Sequence, residues 1–136
     1  MEQQEVILVS APNRTGEGFI RQLMKMGIHC AAIANNQGEK HRLVNLGVKN
    51  IIIVNTTEQQ NNEIIPKLPI GKVYIFERSL NLCCRYIRIC RTWTSKPIYV
   101  ITHTNNPRLV YKGLGAAYVI HTTSEDVSFL IESHGK

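Results

Sequence analysis

Three times in 136 residues, an apolar stretch with helical spacing ends at a glycine and an apolar or β-branched run begins shortly after. The junctions read Met26-Gly27-Ile28-His29-Cys30-Ala31, Leu46-Gly47-Val48-Lys49-Asn50-Ile51 and Leu114-Gly115-Ala116-Ala117-Tyr118-Val119. Glycine enters the left-handed conformation that closes a helix with little steric cost. Repeated helix-to-strand junctions of this kind imply alternating β and α elements. They therefore imply a mainly parallel sheet with helices on both faces. At 15.4 kDa the chain fits one domain, spanning residues 1–136, with no room for a second.

The strands are expected at Glu5–Val9, His29–Ala34, Asn50–Val54, Lys72–Phe76, Pro97–Thr102 and Ala117–His121. Most are near-continuous apolar runs, the pattern of strands covered on both sides. Helices are expected at Gly16–Met26, Gly38–Leu46, Ser79–Trp93, Pro107–Leu114 and Ser124–Ser133. Ile20, Leu23, Met24 and Gly27 share one stripe of the first. Asn106 followed by Pro107 forms a cap and first turn for the fourth. Thr123-Ser124-Glu125-Asp126 supplies hydroxyls and acids for the free amides opening the last. Thr56–Pro69 is polar with two prolines and reads as a loop holding one helical turn. The resulting fold class is an α/β, Rossmann-like, doubly wound sheet of six parallel strands in the order 3-2-1-4-5-6.

Charge is uneven. From Ile64 to Ser124 nine Lys and Arg residues face the single acid Glu77, whereas the whole chain carries +6. Such a field attracts phosphates, nucleic acid or acidic partners, although a solvated face is its commonest use. Within the Ser79–Trp93 helix, Leu80, Cys83, Ile87 and Cys90 form one apolar stripe and Leu82, Tyr86, Ile89 and Trp93 another. Arg78, Arg85 and Arg88 lie between them, with Arg91 beside. Two stripes mean either that one covers the sheet while the other meets a partner, giving a homodimer through this helix, or that the helix is buried between neighbours within the domain.

The four cysteines, Cys30, Cys83, Cys84 and Cys90, sit in strand-like or helix-like apolar settings rather than in loops. They read as buried thiols of a reducing compartment rather than as disulfides, and without a C-x-x-C pair no metal site is expected. The start, MEQQE, does not look like a signal peptide, and no apolar run approaches the ~20 residues that span a bilayer. These features fit a soluble, cytoplasmic chain that does not insert into a membrane.

In a parallel α/β sheet, ligands bind at the carboxyl ends of the strands beside the first one. Here that place is the turn Ser10-Ala11-Pro12-Asn13-Arg14-Thr15-Gly16. It is small and polar, as close backbone approach and helix-start amides require of a phosphate loop, but poor in glycine. His103 and His121 end two strands on the same edge. There is no Tyr-x-x-x-Lys pair, since Tyr74 is followed at that spacing by Arg78, which stays charged. Neither a G-x-S-x-G elbow nor a P-loop occurs, and Asp126 is the only aspartate. No catalytic residue is assigned, and a non-enzymatic role is expected.

Over nearly its whole length the chain resembles Rossmann-type NAD(P)-binding domains. The nearest resemblance is to the N-terminal half of the RCK (regulator of potassium conductance, TrkA-N/KtrA-like) domains. VILVSAPNRTGEGFIRQLMKMGIHCAAIAN is similar to that family's strand, glycine turn, helix, MG-H junction and second strand. LGVKNIIIVNTTE resembles the run into its G-D-A-T-D signature, and KPIYVITHTNNPRLVYKGLGAAYVIHTTSED its second-half strand, turn and L-G-A-D-x-V-I junction. Asn81 matches the asparagine of the family's D-x-x-N helix start, with Arg78 in place of the Asp.

The departures fall on ligand positions. With Gly16 as third glycine of the fingerprint, Ala11 and Asn13 replace the first two. Asn35-Asn36 stands where the family has an acid for the ribose, and Thr56 lies in the altered G-D-A-T-D segment. The resemblance implies a regulatory, ligand-sensing domain that binds a dinucleotide, or another phosphate-bearing nucleotide, at the first turn. NADP or NAD is the implied cofactor, and so decayed a fingerprint is also compatible with none. The neutral Asn35-Asn36 pair and Arg14 favour NADP at least as much as NAD. A membrane transporter or another protein is the implied partner, and nucleic acid is not. Two alternatives stay open: an oxidoreductase-like NAD(P)-binding fragment or subunit, and a protein- or nucleic-acid-interaction module whose nucleotide site is lost.

Overall fold

The apolar runs become strands covered on both faces, and the three junction glycines are where each reversal occurs. A computed structural model describes residues 5–54, 68–104, 108–124 and 126–134. Its strands are β1 (Val6–Ser10), β2 (Cys30–Ala34), β3 (Ile51–Ile53), β4 (Ile70–Phe76), β5 (Ile98–Thr102) and β6 (Tyr118–His121). All pair in parallel, in the order β3-β2-β1-β4-β5-β6. The helices are α1 (Arg14–Lys25), α2 (Gln37–Leu46), α3 (Leu80–Trp93), α4 (Arg108–Leu114) and α5 (Ser128–His134). Gly27, Gly47 and Gly115 have φ of 73°, 106° and 125°, the only positive values among the described residues. A Cβ at any of them would be strained, so the junction pattern reports a backbone requirement.

Side-chain alternation along the strands divides the core in two. On one face Phe19, Ile20 and Leu23 of α1, Leu43 of α2 and Leu130 of α5 cover Ile7, Val9, Ala32 and Tyr74. On the other, Cys83, Tyr86, Ile87 and Cys90 of α3 and Tyr111 of α4 cover Leu8, Ile33, Val73 and Val100.

Two helix starts differ from expectation by two residues or more. Helix α1 begins two residues earlier, because Asn13 caps it with its side-chain oxygen on the Gly16 amide. Helix α5 begins at Ser128 rather than Ser124. The Ser124 hydroxyl instead accepts from the Asp126 amide and the Asp126 carboxylate from the Ser128 amide, so Ser124–Asp126 is a turn ahead of the helix. The bonds from Ser128 hold the Asp126 carboxyl below its ordinary pKa. Asn106 and Pro107, and the expected helical turn through 56–67, lie outside the described residues; Leu68 and Pro69 are not helical.

The second stripe expected on α3 is divided between the core and the surface. Tyr86 is 1% exposed, packs with Cys83, Ile87 and Cys90, and meets Ser10 through its hydroxyl. Positions 83, 86, 87 and 90 follow the 3-and-4 spacing of one helix face, so Tyr86 belongs to the sheet-facing side. Leu82, Ile89 and Trp93 remain half-buried beside it. Arg91 is not a free surface charge either. Its guanidinium donates to the carbonyls of Gly115 (2.9 Å), Lys96 (2.7 Å) and Thr94, closing the end of α3 onto the α4–β6 junction.

Candidate functional site

The carboxyl ends of β1, β4 and β5 meet the start of α1 at the point where strand order reverses. Ser10 and Ala11 are buried there, and Gly16 packs directly on Ala11. A Cβ on Gly16 would lie 2.8 Å from the Ala11 Cα, 2.9 Å from its Cβ and 3.1 Å from the Phe76 ring. The third glycine of the fingerprint is therefore kept by packing of helix on strand. Helix-start amides without helical acceptors face this edge, as an anion requires.

Asn13, at the second fingerprint position, does something glycine cannot. Its carboxamide oxygen accepts from the Gly16 amide at 2.9 Å, and its nitrogen donates to the Glu77 carbonyl at 3.3 Å. The side chain thus bridges the α1 start and the β4 end, holding with a neutral acceptor an amide that a phosphate would need. Arg14 is exposed beside it, and Pro12 is half-buried. Thr15 is buried and shares a 3.1 Å hydrogen bond with Nε2 of His103. The other ring nitrogen of His103, Nδ1, lies against the Thr122 carbonyl and carries the proton in a neutral ring. The Thr15 hydroxyl then donates to Nε2, and α1 is tied to the ends of β5 and β6. His121 is exposed and takes no part in this link.

Glu77 is the principal residue of this edge that sequence reasoning did not single out as a site. It is 7% exposed. The hydroxyls of Thr102 and Thr104 (2.9 Å) donate to its Oε1, and that of Tyr111 to its Oε2. A buried carboxylate needs such donors, since desolvation without them is costly. The available signal was an acid directly after an apolar strand, at a strand end facing the first turn. Burial pushes the neighbouring Cys83 thiol up to about 12, the charge of Glu77 adding to the effect, and burial raises Cys90 to about 12 against the opposing charge of Arg91. Burial also raises Cys30 and Cys84. Among the described residues no three His, Cys, Asp or Glu side chains gather as a metal site.

At the end of β2 a carboxylate stands beside the Asn35-Asn36 pair. Asn36 caps α2, accepting from the Glu39 amide at 2.8 Å, and its Nδ2 donates to Asn35 Oδ1 at 2.9 Å. Glu39 turns back so that its Oε1 accepts from the Asn35 amide at 2.9 Å. This is a variant of the capping box, legible in the spacing Asn36-Gln37-Gly38-Glu39. It places a carboxylate where the residue order alone shows only amides. Thr56, the last expected site residue, lies outside the described residues. The structure thus brings Ser10, Ala11, Asn13, Thr15 and Gly16 together at the switch point. Asn35 and Asn36 stand one strand away, at the end of β2.

No protein-family model matches the chain, and no curated protein matches it. Solved structures do. The NAD(P)-binding domain of an exopolyphosphatase-related protein from Archaeoglobus fulgidus is similar at a TM-score of 0.70 and 14% identity, over 97% of this chain and 95% of that one. The TrkA-N domain of the inner membrane protein ybaL from Escherichia coli is similar at 0.67 and 14% identity, covering 98% of each chain. The GsuK channel bound to NAD is similar at 0.68 and 12% identity, over 88% of this chain but 22% of the channel's. The chain has the Rossmann-type fold of NAD(P)-binding TrkA-N/RCK domains. No helix of the described residues is long and apolar enough to cross a membrane.

Proposed function

We propose that this is a non-enzymatic, ligand-sensing Rossmann domain that binds an adenine dinucleotide or related nucleotide at the carboxyl edge of its sheet. The observation that carries the reading is one juxtaposition: the α1 start at the β1–β4 switch, and the Glu39 carboxylate at the end of β2. In this fold a phosphate at the first position and a ribose at the second are the two anchors of a dinucleotide. The likeness to an NAD(P)-binding domain and to a channel bound to NAD supports a nucleotide ligand.

The residues fit the nucleotide in a particular way. Ala11 and Gly16 give the small, close-packed floor, and Arg14 adds an exposed positive charge. Asn13 must release the Gly16 amide before a phosphate oxygen can take it, so the turn caps itself while no ligand is bound. Glu39 would accept from ribose hydroxyls and repel a 2′-phosphate, which favours NAD over NADP. Thr15, His103, Thr102, Thr104 and Tyr111 are engaged with one another or with Glu77, which supports sensing rather than catalysis. Leu82, Ile89 and Trp93, on the flank of α3 away from Arg91, support self-association through this helix without Tyr86.

Calorimetry with NAD, NADH, NADP, NADPH, ATP, ADP and AMP tests the reading. NAD or an adenine mononucleotide should bind more tightly than NADP. Asn13→Gly should tighten binding about twofold by removing the competing acceptor, since a helix cap loses only a few tenths of a kcal/mol on change to Gly. Arg14→Ala should weaken it by about 1.5–3 kcal/mol, the worth of a charge-assisted hydrogen bond. Absence of heat with every nucleotide at millimolar concentration, for wild type and Asn13→Gly alike, would refute nucleotide binding.

A further inference from the structure

The charge on this domain is segregated by face. From Arg78 to Ser124 the sequence holds seven Lys and Arg residues and no acid. Two of the seven are engaged: Arg91 in the carbonyl bonds at the end of α3, and Lys96 with Glu5 at 3.9 Å. The other five, Arg78, Arg85, Arg88, Arg108 and Lys112, are exposed on or beside α3 and α4, which pack side by side. None pairs with a carboxylate among the described residues. The one acid nearby, Glu77, is buried and directed inward to Tyr111 and Thr102. On the opposite face charges are mixed and partly paired, as in Arg42 with Glu17 at 3.3 Å.

We propose that the α3–α4 face docks an acidic, amphipathic helix of another protein. Its composition separates this partner from other polyanions. Four of the five cations are arginine, the cation enriched at protein interfaces and suited to paired hydrogen bonds with carboxylates. Leu109 stands 81% exposed and Val110 42% exposed among them on α4. A phosphodiester backbone gains nothing by covering a leucine, whereas a partner helix with acids on one stripe and apolar residues on the next uses both. No ring on these two helices stands exposed to stack on bases: Tyr86 and Tyr111 are buried at 1% and 0%, and Trp93 is half-buried at the end of α3. A second copy meeting the Arg85–Arg88 side symmetrically would set those arginines against themselves, so self-association of this helix is left to the flank of Leu82, Ile89 and Trp93. Helix α3, fourteen residues and ~20 Å long, gives such a partner helix about four turns to follow. The proposal stands apart from the nucleotide site.

The test uses the whole chain and a synthetic helical peptide with Glu at every third or fourth position and Leu on the adjacent stripe. The comparison ligands are the same peptide with Gln for Glu, a short DNA duplex, and vesicles of anionic phospholipid. The acidic peptide is expected to bind, and to weaken about tenfold between roughly 50 and 300 mM salt, because exposed charges are screened over that range. Arg85→Glu with Arg88→Glu should reduce binding at least tenfold. Arg108→Glu with Lys112→Glu should do so independently, which protects against one pair merely disturbing the fold. Leu109→Ser should weaken binding without changing the salt slope. The proposal is overturned if the Gln peptide binds equally, if neither charge reversal matters, or if DNA, vesicles or a second copy take the face more tightly.

Discussion

Adding one methyl group at Gly16 separates packing from helix propensity in a way few positions allow. Within a helix, Gly→Ala raises stability by about 0.8–1 kcal/mol through backbone entropy alone. At Gly16 the new Cβ would meet the Ala11 Cα at 2.8 Å and the Phe76 ring at 3.1 Å. Overpacking of this kind costs about 1–3 kcal/mol, and the upper part of that range applies because the first contact is with backbone, which no rotamer change relieves. Gly16→Ala should therefore be destabilised by about 2 kcal/mol net, lowering Tm by about 7 °C for a domain of this size. Gly18 is the control: it lies in the same helix and a Cβ there meets nothing within 4 Å. Gly18→Ala should raise stability by up to about 1 kcal/mol, or roughly 3 °C. Urea and thermal unfolding of the two variants decide the matter. If Gly16→Ala is as stable as Gly18→Ala, then helix and strand do not touch as described, and the phosphate-loop geometry loses its basis.

Tyr111→Phe removes a donor to the buried Glu77 carboxylate and should cost about 1.5–3 kcal/mol in urea unfolding; a change under ~0.5 kcal/mol would mean the carboxylate does not depend on that hydroxyl. Alkaline pH should unfold the domain with a sign set by burial. Cys83 and Cys90 keep their protons up to about pH 12 when folded, whereas the unfolded chain releases them near the usual 9.0. Between those values the unfolded state binds fewer protons, so stability falls as pH rises; below about pH 9 these thiols contribute no pH dependence. Tyr74, raised to about 12, extends the loss above its usual 10.0. A Tm that stays flat from pH 9 to 11 would contradict this.

Much of the architecture was legible because it is written in local chemistry. Left-handed glycines, apolar runs covered on both sides and capping residues act within a few positions of one another. They were enough for six strands, five helices and a parallel sheet between helix layers, while the spatial order of the strands came with the Rossmann-type reading. Even the acid at the β2 end was present in the Asn36–Glu39 spacing, though a motif comparison made at single positions passes over a side chain that folds back. What the residue order could not show depends on which distant segments meet. Tyr86 joins the core rather than a second stripe because the sheet lies under that side of α3. Glu77, the lone acid of a basic stretch, becomes the centre of a polar cluster only when the ends of β4 and β5 bring Thr102 and Thr104 to it and α4 brings Tyr111. Asn13 changes from a lost glycine to a bridge because the Glu77 carbonyl stands within reach. Propensity and capping are decided over one or two turns of chain, whereas burial and hydrogen-bond satisfaction are decided by neighbours 25 to 88 residues away. The sequence therefore determined the scaffold by itself, and only the tertiary structure decided which of its polar residues are spent on one another.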